Sequence, residues 1–331
     1  MSHFIFDNLP GRTACVQGKE YLFFSGYAYL GLQYVDDFKA LVKEGMDKYG
    51  WLFPSSRISN TRIALFEECE QLLSSITHCE DTVLVSTGYT AGRLATDIFK
   101  GDVVNLPPSH PAIKRNNTTS ANGTYAVDAI NILTSSVTNI LPINAKSDIK
   151  TLIVDDSHGV GLTGKHGEGA SSYAERKPGV DYVFTYSLSK AWGINAGAVS
   201  CPQHLAARYR RLPGYTGATA PSPALVYAFT KGQHIYTAQR EKLRENMAYF
   251  QSAINGIKGI QHDTALPIFV LPSFINENTL AEKGIIISSF AYPDPTGPKI
   301  QRVVLNALHT KQDLDTLAQC LHSLIPANPP A

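Results

Sequence analysis

The sequence predicts an α/β chain: an open, mainly parallel sheet covered by helices, followed by a smaller α/β domain. Three observations lead there. Short apolar runs recur between helical stretches, as in parallel sheets buried on both faces. Acidic residues and a lone lysine stand where two of those runs end, at the edge where open α/β sheets bind ligands. The chain has 331 residues, enough for one large domain and a smaller one.

The elements follow in order. Residues 1–35 read as an extended arm, ending in the glycine-punctuated turn Ser25-Gly26-Tyr27-Ala28-Tyr29-Leu30-Gly31-Leu32. Asp36 to Tyr49 has helical spacing of Phe38, Leu41, Val42 and Met46, and Arg62 to Ile76 repeats the pattern. Strands are expected at Thr82–Val85, Asp102–Asn105, Ile130–Leu133, Thr151–Val154 and Tyr182–Phe184, with a helix from Arg93 to Phe99. Ala196–Ser200 follows Lys190 so closely that its strand is expected antiparallel. Leu205–Leu212 reads as a short basic helix, and Ala224–Ile254 as one long helix. Alternating elements then run through Ile268–Leu271, Leu280–Lys283, Ile285–Ile287 and Arg302–Leu305 to a helix at Lys311–Leu324. The expected division is an arm over 1–35, a large domain over 36–230 and a small domain over 231–331.

Composition narrows the function. Hydrophobic residues make up 44% of the chain and charged residues 17%, below a typical ~25%. Lys and Arg number 29 against 28 Asp and Glu, so no basic excess argues for nucleic acid or a membrane surface. No run approaches the ~18 apolar residues of a membrane span, and the start shows no secretory pattern, so the expectation is cytoplasmic. The five cysteines are scattered without a C-x-x-C spacing, which suggests neither a disulfide frame nor a zinc site.

The chemistry centres on Thr185-Tyr186-Ser187-Leu188-Ser189-Lys190-Ala191-Trp192-Gly193. A lysine at the end of a buried strand is a poor packing choice but a good half-desolvated amine, because burial favours its neutral, nucleophilic form. Taken alone, Lys190 reads more readily as an exposed loop lysine; that reading gives way only where the chain also supplies a carboxylate, a phosphate cradle and a ring-contacting side chain. Asp155, ending an apolar strand, offers a carboxylate, and Ser86-Thr87-Gly88-Tyr89-Thr90-Ala91-Gly92 offers backbone N–H groups where a strand turns into a helix. A pyridoxal phosphate site needs those three parts: a Schiff-base lysine, a carboxylate for the pyridinium nitrogen and a phosphate cradle. His158 stands three residues beyond Asp155. Asp155, Asp156 and His158 also admit a metal reading, although no further ligand stands at a convincing spacing. Gly159, Gly161 and Gly164 match G-x-G-x-x-G by letter, but they follow an acidic pair and open no helix, which argues against a dinucleotide site.

Several ordered motifs resemble the α-oxoamine synthases, a family of fold-type-I pyridoxal-phosphate enzymes. Tyr29-Leu30-Gly31-Leu32 matches the family's entry turn, and Ser86–Gly92 resembles its phosphate segment. Ser109-His110 resembles the Ser-His whose imidazole stacks on the cofactor ring. Asp155-Asp156-Ser157-His158-Gly159 resembles its Asp-Asp/Glu-Ala-His-Gly, and Ser187-Leu188-Ser189-Lys190 its Thr-x-Ser/Gly-Lys. Thr219-Ala220-Pro221 resembles a loop that reaches the partner subunit's phosphate, and Arg302 falls where a substrate-carboxylate arginine lies.

The resemblance implies a seven-stranded-type sheet and pyridoxal 5'-phosphate held by Lys190, Asp155, His158, His110, Thr87, Gly88, Tyr89, Ser187, Ser189 and Thr219. It implies Lys190, His110, Asp155 and His158 as the catalytic set, with Arg302 on the amino-acid substrate. It further implies a homodimer with composite sites, and condensation of an amino acid with an acyl thioester, from acyl-CoA or an acyl-carrier protein, to an α-amino ketone. Transamination between an amino acid and a keto acid is the alternative. The chain departs from the family in three places. Gly26-Tyr27-Ala28-Tyr29 replaces an asparagine-containing turn. The usual histidine near Leu65 and Phe66 is missing. Thr134-Ser135-Ser136-Val137 stands where the family has Glu-Gly-x-x-Ser-Met-Asp-Gly, within a shortened 114–150 stretch.

Overall fold

In the computed structural model, residues 4–115, 117–292 and 296–325 are described. The ends of the first and last predicted segments, and Asn116 in the polar stretch, lie outside them. The chain opens on a hairpin, β1 (Thr13–Val16) and β2 (Lys19–Phe24). Helices α1 (Asp36–Tyr49) and α2 (Ala64–Ile76) follow, then β3 (Asp81–Val85), α3 (Gly88–Asp97), β4 (Val104–Asn105) and β5 (Thr124–Asp128). Two short pieces, β6 (Ile130–Asn131) and β7 (Ser136–Val137), precede α4 (Leu141–Asn144), β8 (Thr151–Asp155), β9 (Asp181–Ser187) and β10 (Gly197–Cys201). Next come α5 (Gln203–Tyr209), α6 (Pro213–Thr216), α7 (Pro223–Lys231) and α8 (Gln233–Ala253). The chain closes on β11 (Ile268–Val270), α9 (Glu277–Glu282), β12 (Ile285–Ala291), β13 (Lys299–Val304) and α10 (Lys311–Leu324).

The chain divides into two compact units. The larger comprises Val35–Asn131 and Val137–Thr237, and the smaller takes the described residues within Met1–Tyr34, Ile132–Ser136 and Ala238–Ala331. In the larger unit, six strands form one sheet in the order β3-β10-β9-β8-β5-β4. β4, β5, β8 and β9 pair in parallel, and β10 alone runs against its neighbours β3 and β9. The antiparallel strand over Ala196–Ser200 is therefore where the sequence put it. The described residues contain six strands in this sheet where the resemblance implied seven. The polar stretch from 114 to 122 has no apolar run with which to add one.

Ile153, Val183, Val199 and Ala126 from the sheet pack with Ala91, Leu94 and Ala95 of α3 and with Leu205, Ala206 and Tyr209 of α5. Alternation along the strands then puts Asp155 on the face of Ile153, and Asp156 on the other. Two expectations shift here. β5 was not expected, since the stronger apolar run Ile130–Leu133 drew the reading, yet that run contributes only β6. The helix expected over Ala224–Ile254 is interrupted at Gly232, where a Cβ would stand 2.7 Å from the Ala228 carbonyl oxygen.

In the smaller unit, β1-β2-β12-β13-β11 form a five-stranded sheet in which only β2 and β12 are parallel. The predicted arm is thus a hairpin stitched to that sheet. Its inner face packs Ala14, Phe23 and Ile286, with Phe4, Phe6 and Tyr21 around them. α10 starts with a capping box: Thr310 accepts from the Asp313 N–H, and Asp313 accepts from the Thr310 N–H. Asp313 also pairs with Arg12 at 2.7 Å, tying helix to hairpin. Among the described residues no helix is long and apolar enough to cross a membrane.

Candidate active site

The site lies at the carboxyl ends of β5, β8 and β9 in the larger unit. Parallel pairing brings Asp128, Asp155 and Thr185 into one row, with Asp128 opposite Asp155 and Asp155 opposite Thr185. Asp155 is buried, and its Oδ1 accepts the Ser157 N–H at 3.0 Å. The Thr185 hydroxyl beside it is buried without a hydrogen-bond partner among the described residues, an opening for a polar ligand atom.

β9 ends at Ser187, whose N–H donates to the Ser157 hydroxyl at 2.9 Å. That bond ties the turn carrying Lys190 to the turn carrying His158. Lys190 is half-buried. Burial lowers its pKa, and the carboxylates of Asp155 and Asp128 oppose the shift. The amine is therefore easier to hold neutral than an exposed lysine, as a nucleophile requires. His158, also half-buried, sits in the turn after β8.

Asp156 is not an equivalent of Asp155. It is fully buried on the opposite face, and burial raises its pKa well above the carboxylate range, partly offset by the Ala170 N–H donated to Oδ2 at 2.6 Å. A Cβ at Gly159 or Gly169 would fall 2.1 Å or 1.9 Å from its carboxyl oxygens, so those glycines make room for it. Gly159 and Gly169 thus serve a packed acid. Asp156 turns away from Asp155, and among the described residues no three His, Cys, Asp or Glu side chains converge as metal ligands.

His110 reaches the cluster from the loop after β4. Its backbone N–H donates to Asp128 Oδ1 at 2.9 Å, and its ring Nδ1 accepts the Ala112 N–H at 3.2 Å. A neutral ring then carries its proton on Nε2. Burial lowers its pKa, Asp155 opposes the shift and Lys190 adds to it. Asp128 escaped the sequence reading together with β5. Burial and the nearby Asp155 push its carboxyl up to about 7, against the pull of the His110 N–H and of Lys190.

The expected phosphate segment becomes the start of α3, which begins at Gly88 rather than Arg93. Thr87 caps it, accepting the Thr90 N–H at 3.1 Å. A Cβ on Gly88 would lie 2.4 Å from Ser187 Cβ, and one on Gly197 would lie 2.1 Å from the Thr87 carbonyl oxygen. Only glycine at both positions lets the helix start sit on the end of β9. Ser187 and Ser189 share a hydrogen bond at 2.9 Å, while Thr87 and Tyr89 are exposed. Backbone N–H groups and hydroxyls thus gather at one helix N-terminus, against the end of the strand that leads to Lys190.

Two predicted residues belong to other elements. Thr219 is exposed in the loop between α6 and α7. Arg302 belongs to the smaller unit, on β13, where it is buried; its Nη1 donates to the Ile132 carbonyl at 3.2 Å and its guanidinium lies 4.6 Å from the Phe290 ring centroid. Its Nε has no hydrogen-bond partner, and no carboxylate pairs with it among the described residues.

Known proteins resemble this chain in sequence and in fold. A profile described as "Aminotransferase class I and II" matches residues 137–321, more than half of the chain. The 8-amino-7-oxononanoate synthase of Buchnera aphidicola subsp. Baizongia pistaciae is 26% identical over 354 residues, covering 95% of this chain and 91% of that protein. The enzyme of the same name from Vibrio parahaemolyticus is 26% identical over 355 residues, covering 94% and 90%. Among solved structures, Sphingomonas wittichii serine palmitoyltransferase superposes with a TM-score of 0.83 at 19% identity, covering 97% of this chain and 93% of that one. The Francisella tularensis 8-amino-7-oxononanoate synthase gives 0.71 at 19% identity, covering 92% and 97%. These structural likenesses show the fold, and the profile match shows the family. The chain belongs to the aminotransferase class I and II family.

Proposed function

We propose that the chain is a pyridoxal-phosphate-dependent acyltransferase that condenses an amino acid with an acyl thioester to an α-amino ketone, in the manner of 8-amino-7-oxononanoate synthase. The observation that carries this reading is the convergence of Lys190, Asp155 and His110 at the end of one sheet, beside the N-terminus of α3. A serine palmitoyltransferase of the same fold holds pyridoxal phosphate, and the residues here fit that group. The half-buried lysine supplies the amine, and Asp155 a carboxylate for the ring nitrogen. Thr185 offers an unsatisfied hydroxyl, and Gly88 leaves the space a Cβ would fill.

Bound there, pyridoxal phosphate supplies an electron sink for a bond broken at the amino acid's Cα. Lys190 would hold the cofactor, Asp155 would keep its ring nitrogen protonated, and His158 would hydrogen-bond its phenolic oxygen. Thr87, Gly88, Tyr89, Ser187 and Ser189 take the phosphate, with the helix N-terminus adding favourable dipole charge. His110, with its proton on Nε2, would lie against the cofactor and position or transfer a proton at the incoming carbonyl. Arg302 binds the substrate carboxylate: a buried guanidinium that pairs with no carboxylate among the described residues favours an anion that can take its two-pronged hydrogen bonds. The protein acts in the cytoplasm as a homodimer, Thr219 of each protomer completing the phosphate site of the other.

The test is direct. Purified protein with pyridoxal phosphate, an amino acid and a panel of acyl-CoA and acyl-carrier thioesters should release free thiol and form an α-amino ketone. If no thioester reacts while a keto acid is converted to its amino acid, the enzyme is an aminotransferase and the condensation reading fails.

A further inference from the structure

We propose that Asp128 is a positioning residue of the Lys190 site: it fixes the place of His110 and sets the charge against which Asp155 and Lys190 act. The inference rests on the reading above for the reaction it serves, while its geometry belongs to the chain alone.

The first half follows from hydrogen bonds. Asp128 Oδ1 accepts the His110 N–H at 2.9 Å, and the Asp128 N–H donates to the Pro108 carbonyl at 2.8 Å. The two bonds clamp residues 108–110 to the end of β5. With Nδ1 taken by the Ala112 N–H, little freedom remains to the imidazole. Asp128 thus fixes the backbone from which the His110 ring projects.

The second half follows from register. Asp128 and Asp155 are direct partners on neighbouring parallel strands, so both carboxyls project from one face of the sheet. Strands ~4.8 Å apart leave two like charges little separation. The charged groups facing Asp128 come from three elements: Asp155 closing β8, Lys190 after β9 and His110 on its own loop. One carboxyl of such a pair is driven to keep its proton. Asp128 is that one, since its pKa stands at about 7 and the cause is its burial together with Asp155. Protonated, it adds no second charge beside Asp155. Ionised, it adds a second negative charge that favours the ammonium form of Lys190, the wrong form for a nucleophile.

Two variants separate the two tasks. Asp128→Asn keeps an oxygen for the His110 N–H and removes the titration, whereas Asp128→Ala removes both. In the cofactor-free protein, ¹³C NMR of labelled aspartate carboxyls should show the Asp128 carboxyl titrating near neutral pH in the wild type, a signal lost in Asp128→Asn, with that of the buried Asp156 assigned by its absence in Asp156→Asn. The Lys190 pKa, read from ¹³C-methylated lysine signals, should fall by roughly one unit in Asp128→Asn as an attracting charge is lost. Affinity for pyridoxal phosphate, read from its visible absorbance, should stay within about twofold in Asp128→Asn and drop about tenfold in Asp128→Ala, a change of ~1.4 kcal/mol. The proposal falls if the neutral-range titration survives in Asp128→Asn with the Lys190 pKa unmoved, or if Asp128→Ala binds the cofactor as the wild type does. Should Asp128→Ala not fold, the two NMR titrations of Asp128→Asn decide. A wild type that binds no pyridoxal phosphate would instead defeat the functional reading, and the NMR titrations would still decide the role of Asp128.

Discussion

Acidification should loosen the smaller unit first at His309, and the size of the effect follows from the structure. His309 is buried, stacked on Phe24 with ring centroids 4.2 Å apart. Its Nδ1 accepts the Asn306 N–H at 3.0 Å, and its Nε2 donates to the Phe23 carbonyl at 3.0 Å. Both nitrogens are committed, so a second proton would break the Nδ1 bond and bury a charge. Burial accordingly lowers the pKa from 6.5 to about 4; the Phe23 bond and Asp313 oppose the shift, and Arg12 adds to it. A depressed folded pKa means the unfolded chain binds the proton first. The stabilisation is present in full above about pH 6.5 and is lost as pH falls toward 4. A difference of about 2.5 units is worth roughly 3 kcal/mol in all, of which about 2 kcal/mol should be gone by pH 5. Both tryptophans, Trp51 and Trp192, lie in the larger unit, so their fluorescence reports the wrong part of the chain. Amide exchange of β2 and β12, corrected for the intrinsic rate, is the suitable assay. Protection there should fall between pH 7 and pH 5 in the wild type. In His309→Gln it should start lower and change much less with pH. Parallel pH slopes in the two proteins would refute the reasoning.

Three further outcomes follow. Borohydride reduction of the cofactor-loaded protein and peptide mapping should place the label on Lys190; a label on another lysine would remove it from its role. Asp155→Asn should abolish most activity in a folded protein. Asp156→Asn, which replaces a buried acid whose protonated form burial favours by a neutral amide that can still accept from Ala170, should cost no more than ~1–2 kcal/mol in a denaturant melt and leave cofactor binding intact. The reverse pattern would exchange the two roles. Arg302→Lys keeps the charge but loses the planar fork, and should raise the amino-acid KM by one to two decades, ~1.5–3 kcal/mol, with cofactor affinity unchanged; an unaltered KM would take Arg302 out of the substrate site.

Local signals carried much of the architecture by themselves. The apolar runs at Thr82–Val85, Thr151–Val154 and Tyr182–Phe184 are strands because continuous apolar segments of that length bury on both faces of a sheet, whatever lies elsewhere. The helices Asp36–Tyr49 and Lys311–Leu324 carry their spacing, and the second its capping residues, within their own sequence. Lys190 and Asp155 were legible for the same reason, since each ends an apolar run in which it has no packing role.

What only the tertiary structure decided depends on contacts between residues far apart in the chain. Asp128 ends a modest run beside the stronger Ile130–Leu133, and it becomes a partner of Asp155 only through parallel register. Helix α3 starts at Gly88 because Thr87 caps it and because Gly88 and Gly197 let it rest on the end of β9. The break at Gly232 and the burial of Arg302 among Ile132 and Phe290 likewise depend on packing, which leaves no period in the sequence. Spacing reports how a segment meets an average environment. The charge of a carboxyl or the start of a helix is set by the particular neighbour that long-range pairing puts beside it.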